Sequence, residues 1–130
     1  MKIVIAGSAK LQTEINQWFQ YWNNQPDCQV INFPQPIPSE NFEKLYPEVH
    51  TNFFKDITKA DTLFVANEEK SGISGYIGAE TFAELGFGLA QKLVSGQNIK
   101  LMLAHLPSSE VQCYNEIVLW LKLGWIEILN

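Results

Sequence analysis

Positive charge is scarce in this chain. Lysine and arginine together number nine in 130 residues, against fourteen aspartates and glutamates, for a net charge of −5. The nine are scattered, with no basic stripe, so neither a nucleic acid nor an anionic membrane surface is an expected partner. Cysteine is nearly absent. Cys28 and Cys113 have no metal-type spacing and make no disulfide framework, which reads as buried free thiols in a reducing, cytoplasmic setting. No apolar run approaches membrane-spanning length. "MKIVIAGSAK" loses its apolar character at Gly7-Ser8, too early for the core of a signal peptide. Repeats and low-complexity tracts are also missing. What remains is 46% hydrophobic and 18% charged, enough to build the core of one domain over residues 1–130 and too apolar for disorder.

The order of patterns along the chain predicts an α/β fold. "KIVIAG" is a β-branched run that stops at a glycine, a buried strand followed by a tight turn. Leu11, Ile15, Trp18, Phe19 and Trp22 then recur at helical spacing until "NNQPD" ends the helix. "CQVINF" is a second strand, and "PQPIPSE" can continue neither element. Residues 41–60 are helical in pattern, with a break expected near Pro47. "DTLFVAN" is apolar on both faces, as in the middle of a covered parallel sheet. A polar loop, "EEKSGISGY", leads to a helix over residues 79–94 and then to the strand "IKLMLAH". Ser108 or Ser109 is the expected N-cap of a last helix, which Gly124 closes before an edge strand, "WIEIL". Strands alternating with helices imply crossovers and a three-layer sandwich around a five-stranded parallel sheet. The expected strand order is the flavodoxin-like, Rossmann-like 2-1-3-4-5.

In such sheets ligands sit beyond the carboxyl ends of the strands, at the switch point between strands 1 and 3. That rule selects Gly7-Ser8-Ala9, the proline-rich loop after strand 2, and residues 67–78. Gly7 lets the backbone approach a ligand and Ser8 borders it, although "AGSAK" is neither a Walker loop nor a dinucleotide fingerprint, and Ser8 is equally readable as a helix N-cap. In "GYIG", Gly75 and Gly78 flank Tyr76 and Ile77, so the loop can turn tightly into a helix start whose free amides would hold an anion or a hydroxyl. Glu80 lies in the first helical turn, where the dipole stabilises a carboxylate by roughly 0.3–1 kcal/mol and explains it without a function. Glu84 lies one turn on. With Phe82, Leu85 and Leu89 directed at the sheet, it falls at the border of the packed face, near the pocket mouth, and two carboxylates at this spacing can raise each other's pKa. His50 and His105 are isolated in sequence, so no metal site and no cofactor are expected.

These residues carry a resemblance. "MKIVIAGS", "ITKADTLFVAN" and "GYIGAETFAELGFGLAQK" look like the nucleoside 2-deoxyribosyltransferase superfamily, and more closely its small branch with a Tyr-Ile-Gly motif. "HLPSSEVQCYNEIVLWL" also fits that branch, and the similarity spans nearly the whole chain. The resemblance implies that Glu84 is a nucleophile. It would attack the anomeric carbon of a (deoxy)nucleoside and release the base, and a second base or water would resolve the covalent sugar. It further implies substrate contacts from Gly7, Ser8, Asn67, Tyr76, Gly78 and Glu80, and a homo-oligomer, dimer or higher, whose neighbour closes the site. Trp120 and Trp125 are taken as exposed aromatics available to that interface.

The chain departs from the transferases in two places. Phe53, beside Asn52, stands where they carry an aspartate, and Gly78 stands where many carry an acid or a serine. The proton donor to the leaving base is therefore open among Asp56, Tyr76 and Glu80. Glu80 at the helix start would repel a 5′-phosphate. The alternative to an enzyme is a sensor module that holds a nucleoside or nucleotide in the same cleft without cleaving it.

Overall fold

A computed structural model describes residues 1–129. Five strands form one parallel sheet in the order β2-β1-β3-β4-β5, as the sequence predicts. They are β1 (Lys2–Ala6), β2 (Gln29–Asn32), β3 (Thr62–Val65), β4 (Lys100–Leu103) and β5 (Glu127–Ile128). The helices are α1 (Gln12–Asn23), α2 (Phe42–Ile57), α3 (Ala79–Leu93) and α4 (Tyr114–Lys122). Among the described residues no helix is long and apolar enough to cross a membrane.

Alternation in the strands divides the core. Ile3 and Ile5 of β1 point to one face with Phe64 and Met102, and meet Ile15 and Trp22 of α1. Val4 and Ala6 point to the other face with Leu63, Val65, Leu101 and Leu103, where α2, α3 and α4 add Phe53, Ile57, Leu85, Leu89 and Ile117. Each such fully buried aliphatic or aromatic side chain contributes about 1.5–3 kcal/mol. The α1 layer is aromatic: Trp18 and Trp22 place their rings 4.6 and 5.3 Å from that of Phe64. In the central register, Ala6 pairs with Val65 and Val65 with Leu103, so β1, β3 and β4 end level at one edge.

Beyond that edge the exit loops of β3 and β4 are bound together. Buried Asn67 donates from Nδ2 to the carbonyls of His105 (2.7 Å) and Gly75 (3.3 Å), and its Oδ1 accepts from the His105 amide (3.1 Å). The Ser108 amide donates to the Ser74 carbonyl at 2.9 Å. Gly75 sits at φ +66° with a Cβ-sized space already filled by the backbone of Pro107, whose Cα would lie 2.6 Å away. The segment that delivers Tyr76 and Gly78 to α3 is thus fixed from both sides.

Several expectations are corrected. Pro47 does not break α2, which runs through it. The ring removes one main-chain hydrogen bond, but it faces solvent, and Phe42, Tyr46, His50 and Phe54 stack in succession across that point. Neither Ser108 nor Ser109 caps α4, which starts at Tyr114 after Cys113. Ser108 is held to the β3 exit loop instead, and its Oγ accepts from the Glu110 amide in a tight turn. Ser8 is not an N-cap either, since α1 begins three residues after Ala9, behind Leu11. Trp120 and Trp125 are half-buried on the core rather than exposed, and Trp120 stacks on Phe82 at 5.3 Å. Cys28 and Cys113 are free but only half-buried.

Gly75→Ala is expected to destabilise the fold by about 2 kcal/mol or more, through its backbone conformation and the Pro107 contact. Gly86→Ala, in α3 with open space around its Cα, is expected to stabilise by about 0.5–1 kcal/mol. Urea denaturation of the two variants checks both signs.

Candidate functional site

A cavity of about 650 Å³ opens at the carboxyl ends of the strands, at the β1/β3 switch point. Its floor is the β1 exit loop, with Gly7, Ser8 and Ala9. One wall is the proline-rich segment from Phe33 to Pro38, and another is the face of α2 bearing Tyr46, His50 and Phe53. The start of α3 closes it with Gly78, Glu80 and Glu84, and Lys70 and Tyr76 overhang it. Gln12 joins two of these parts, its Nε2 donating to the carbonyls of Ala9 (2.7 Å) and Pro34 (3.2 Å).

Glu84 is the deepest charged group of the site. Only 5% of it is exposed, so it lies further in than the border position expected from helical spacing. The ion pairs among the described residues, Lys100–Glu127 and His105–Glu68, are both elsewhere. Burial first, and the Glu80 charge second, push the Glu84 carboxyl up to about 8. At neutral pH it therefore holds a proton in the absence of a ligand. Glu80, one turn earlier, is exposed.

His50, expected to be isolated, is brought to these acids by the packing of α2 on α3. A ring nitrogen of His50 and the carboxylate oxygens of Glu80 and Glu84 all lie within 4.8 Å of one another. Three groups of this kind are a potential donor set for a cation. Tyr46 stacks on the His50 ring with centroids 4.9 Å apart. Its phenol is pushed up in pKa by burial and then by Glu80 and Glu84, which places its hydroxyl in the same electrostatic neighbourhood.

The remaining candidates separate into two groups. Ser8, Tyr76 and Gly78 line the cavity. Lys70 donates from Nζ to Ser8 Oγ at 3.0 Å and lies 5.0 Å from the centroid of the Tyr76 ring, so loops after β1 and β3 are coupled there. Gly7 also lines the cavity, yet its missing side chain serves packing: a Cβ would approach Ile15 Cδ1 to 3.2 Å and the Ala66 carbonyl to 3.3 Å. Asn67 and Asp56 are not among the lining residues. Asn67 is the strut between exit loops, and Asp56 accepts a hydrogen bond at 2.8 Å from Asn32, which does line the cavity.

Sequence reasoning missed Tyr46, His50 and Lys70. The first two belong to the four-residue series Phe42, Tyr46, His50, Phe54, a signal present in the chain but indistinguishable there from an ordinary core stripe. Lys70 had no local signal, because its partner Ser8 is 62 residues away. No protein-family model matches this chain, and no curated protein matches it in sequence.

The raised carboxyl has a consequence for stability. A proton held more tightly in the folded than in the unfolded chain makes Glu84 progressively destabilising as pH rises from its ordinary value near 4.5 through about 8. Glu84→Gln removes that loss. The variant is expected to melt above the wild type at about pH 9, with the gap closing toward about pH 5. Thermal melts across the range test this, and a gap independent of pH would contradict it.

Proposed function

We propose that this chain is an N-glycosidic-bond enzyme acting on (deoxy)nucleosides, by deoxyribosyl transfer or by hydrolysis, with Glu84 as the nucleophile. The observation that carries the reading is a buried carboxyl without an ion-pair partner, set in a cavity large enough for a small organic ligand. Such a group is inert while protonated and reactive once ionised, because burial withholds the water that would otherwise stabilise its charge.

His50 takes the Glu84 proton, and the carboxylate forms a bond to the anomeric carbon. The carbon–nitrogen bond breaks with its electron pair going to the base, which accepts the proton from His50. Water or a second base then attacks the anomeric carbon, breaks the sugar–Glu84 ester and returns the carboxyl. Tyr46 and Phe42, stacked rings at the cavity wall, offer a flat apolar surface to a base, and Ser8 with Lys70 offers polar contacts to sugar hydroxyls. Asp56 is less well placed as the acid than His50, since Asn32 stands between it and the cavity. Phe42, Leu45 and Val49 are exposed at the rim, where a second copy of the chain would meet the site in the homo-oligomer that the family resemblance implies.

Incubation with a panel of 2-deoxynucleosides and ribonucleosides, with and without acceptor bases, is expected to release or exchange a base. Glu84→Ala and Glu84→Gln are expected to lower that rate by about 10³-fold or more. The wild-type rate should fall as pH rises through about 8, because the proton that His50 passes from Glu84 to the leaving base is then lost. Folded protein that binds nucleosides in calorimetry but turns none over is the sensor module instead. Protein that binds none rejects both readings.

A further inference from the structure

The meeting of His50, Glu80 and Glu84 has a chemistry of its own. Glu80 and Glu84 stand one helical turn apart, so their carboxylates project from one face of α3. The imidazole comes from the opposite helix, α2. Its ring is held in orientation by Tyr46 on one side, at 4.9 Å between centroids, and by the edge-on ring of Phe54, at 4.5 Å, on the other. One nitrogen and two carboxylate oxygens from two helices thus converge within 4.8 Å.

The electrostatics of the cluster are unfinished. Two carboxyl groups adjoin, and one of them, Glu84, is more than nine-tenths buried and directed into the cavity without an ion-pair partner. Neither lysine at the cavity is an ion-pair partner: Lys70 is engaged with Ser8 and Tyr76, and Lys10 is exposed. A divalent cation would displace the proton from Glu84 and balance the charge of both carboxylates.

We propose that His50, Glu80 and Glu84 form a binding site for one divalent cation of the zinc kind. An imidazole with two carboxylates suits zinc or a similar borderline metal better than magnesium, which favours oxygen ligands alone. Bonds of about 2.0–2.2 Å require the three donors to draw closer than their present span. Glu80 can supply that movement, because its side chain is exposed while those of His50 and Glu84 are held by packing. The fourth tetrahedral position faces the cavity and is open to water or a ligand oxygen. The site does not depend on the glycosidic reading. If both hold, metal on Glu84 and nucleophilic attack by Glu84 exclude each other, and the cation is an inhibitor.

The test is metal uptake rather than turnover, so the two readings fail separately. Chelator-stripped protein is titrated calorimetrically with zinc chloride, and with magnesium chloride for comparison. One equivalent of zinc is expected to bind, with magnesium much weaker. His50→Ala, Glu80→Gln and Glu84→Gln are each expected to weaken zinc by about tenfold or more. His105→Ala, Cys28→Ser and Cys113→Ser remove the other zinc-prone groups and are expected to leave the affinity unchanged. Circular dichroism establishes that each variant is folded, and Glu80→Gln, a change at an exposed side chain, keeps the test decisive if a buried variant unfolds. Absence of zinc uptake by the wild type overturns the proposal. So does uptake that survives Glu80→Gln and His50→Ala at full strength.

Discussion

Everything distinctive about the site follows from a carboxyl kept away from water between two helices. The side of α3 that carries Glu84 also carries Leu85 and Leu89 of the core, so the acid cannot be moved outward without unpacking the sheet. Its neighbours are a second acid, an imidazole and a phenol rather than a lysine. The protein therefore retains a group that weakens its own fold as pH rises from about 4.5 to about 8, which is the pattern expected where reactivity or ligand binding rather than stability has shaped a position. The core has margin for this, since both faces of the sheet are covered and β1, β3 and β4 contribute almost no exposed apolar surface.

Placement of that acid relies on polar bonds far from the cavity. Asn67 joins the β3 exit to the β4 exit, and Gly75 allows the chain to pass flush against Pro107. Together they set the approach of Tyr76 to Gly78 and the first turn of α3. Asn67 therefore acts on the site through backbone geometry, although its side chain does not line the cavity. Asn32 transmits in the other direction, with one end at the cavity and the other bonded to Asp56 of α2.

The sheet order was legible because its signal is local: "KIVIA", "TLFV" and "KLML" are apolar on both faces, and each is followed by a helix-period stretch. The start of α3 was legible for a similar reason, a glycine followed by a long amphipathic run. The position of Glu84 on that helix could be counted, but its depth could not, because depth depends on how closely α2 approaches. His50 illustrates the general difficulty. Its ligand-like neighbours are 30 and 34 residues away, and nothing in a one-dimensional pattern says which helix face will meet which. Pro47 and Ser108 misled in the opposite way. Each has a strong local preference, for a break and for a cap, that aromatic stacking in one case and loop-to-loop hydrogen bonding in the other overrode.

The proline in α2 has a mechanical consequence. Without an amide hydrogen at Pro47, the helix lacks one rung of its ladder. Phe53 and Ile57, below that gap, are anchored in the core, while Phe42 and Leu45, above it, are partly exposed at the rim. The missing rung of the second helix thus sits between its foundation and its doorway. Because Tyr46 and His50 stack across the gap, any swing of the upper turn would carry the imidazole's partner with it and tie the width of the mouth to the geometry of the acids.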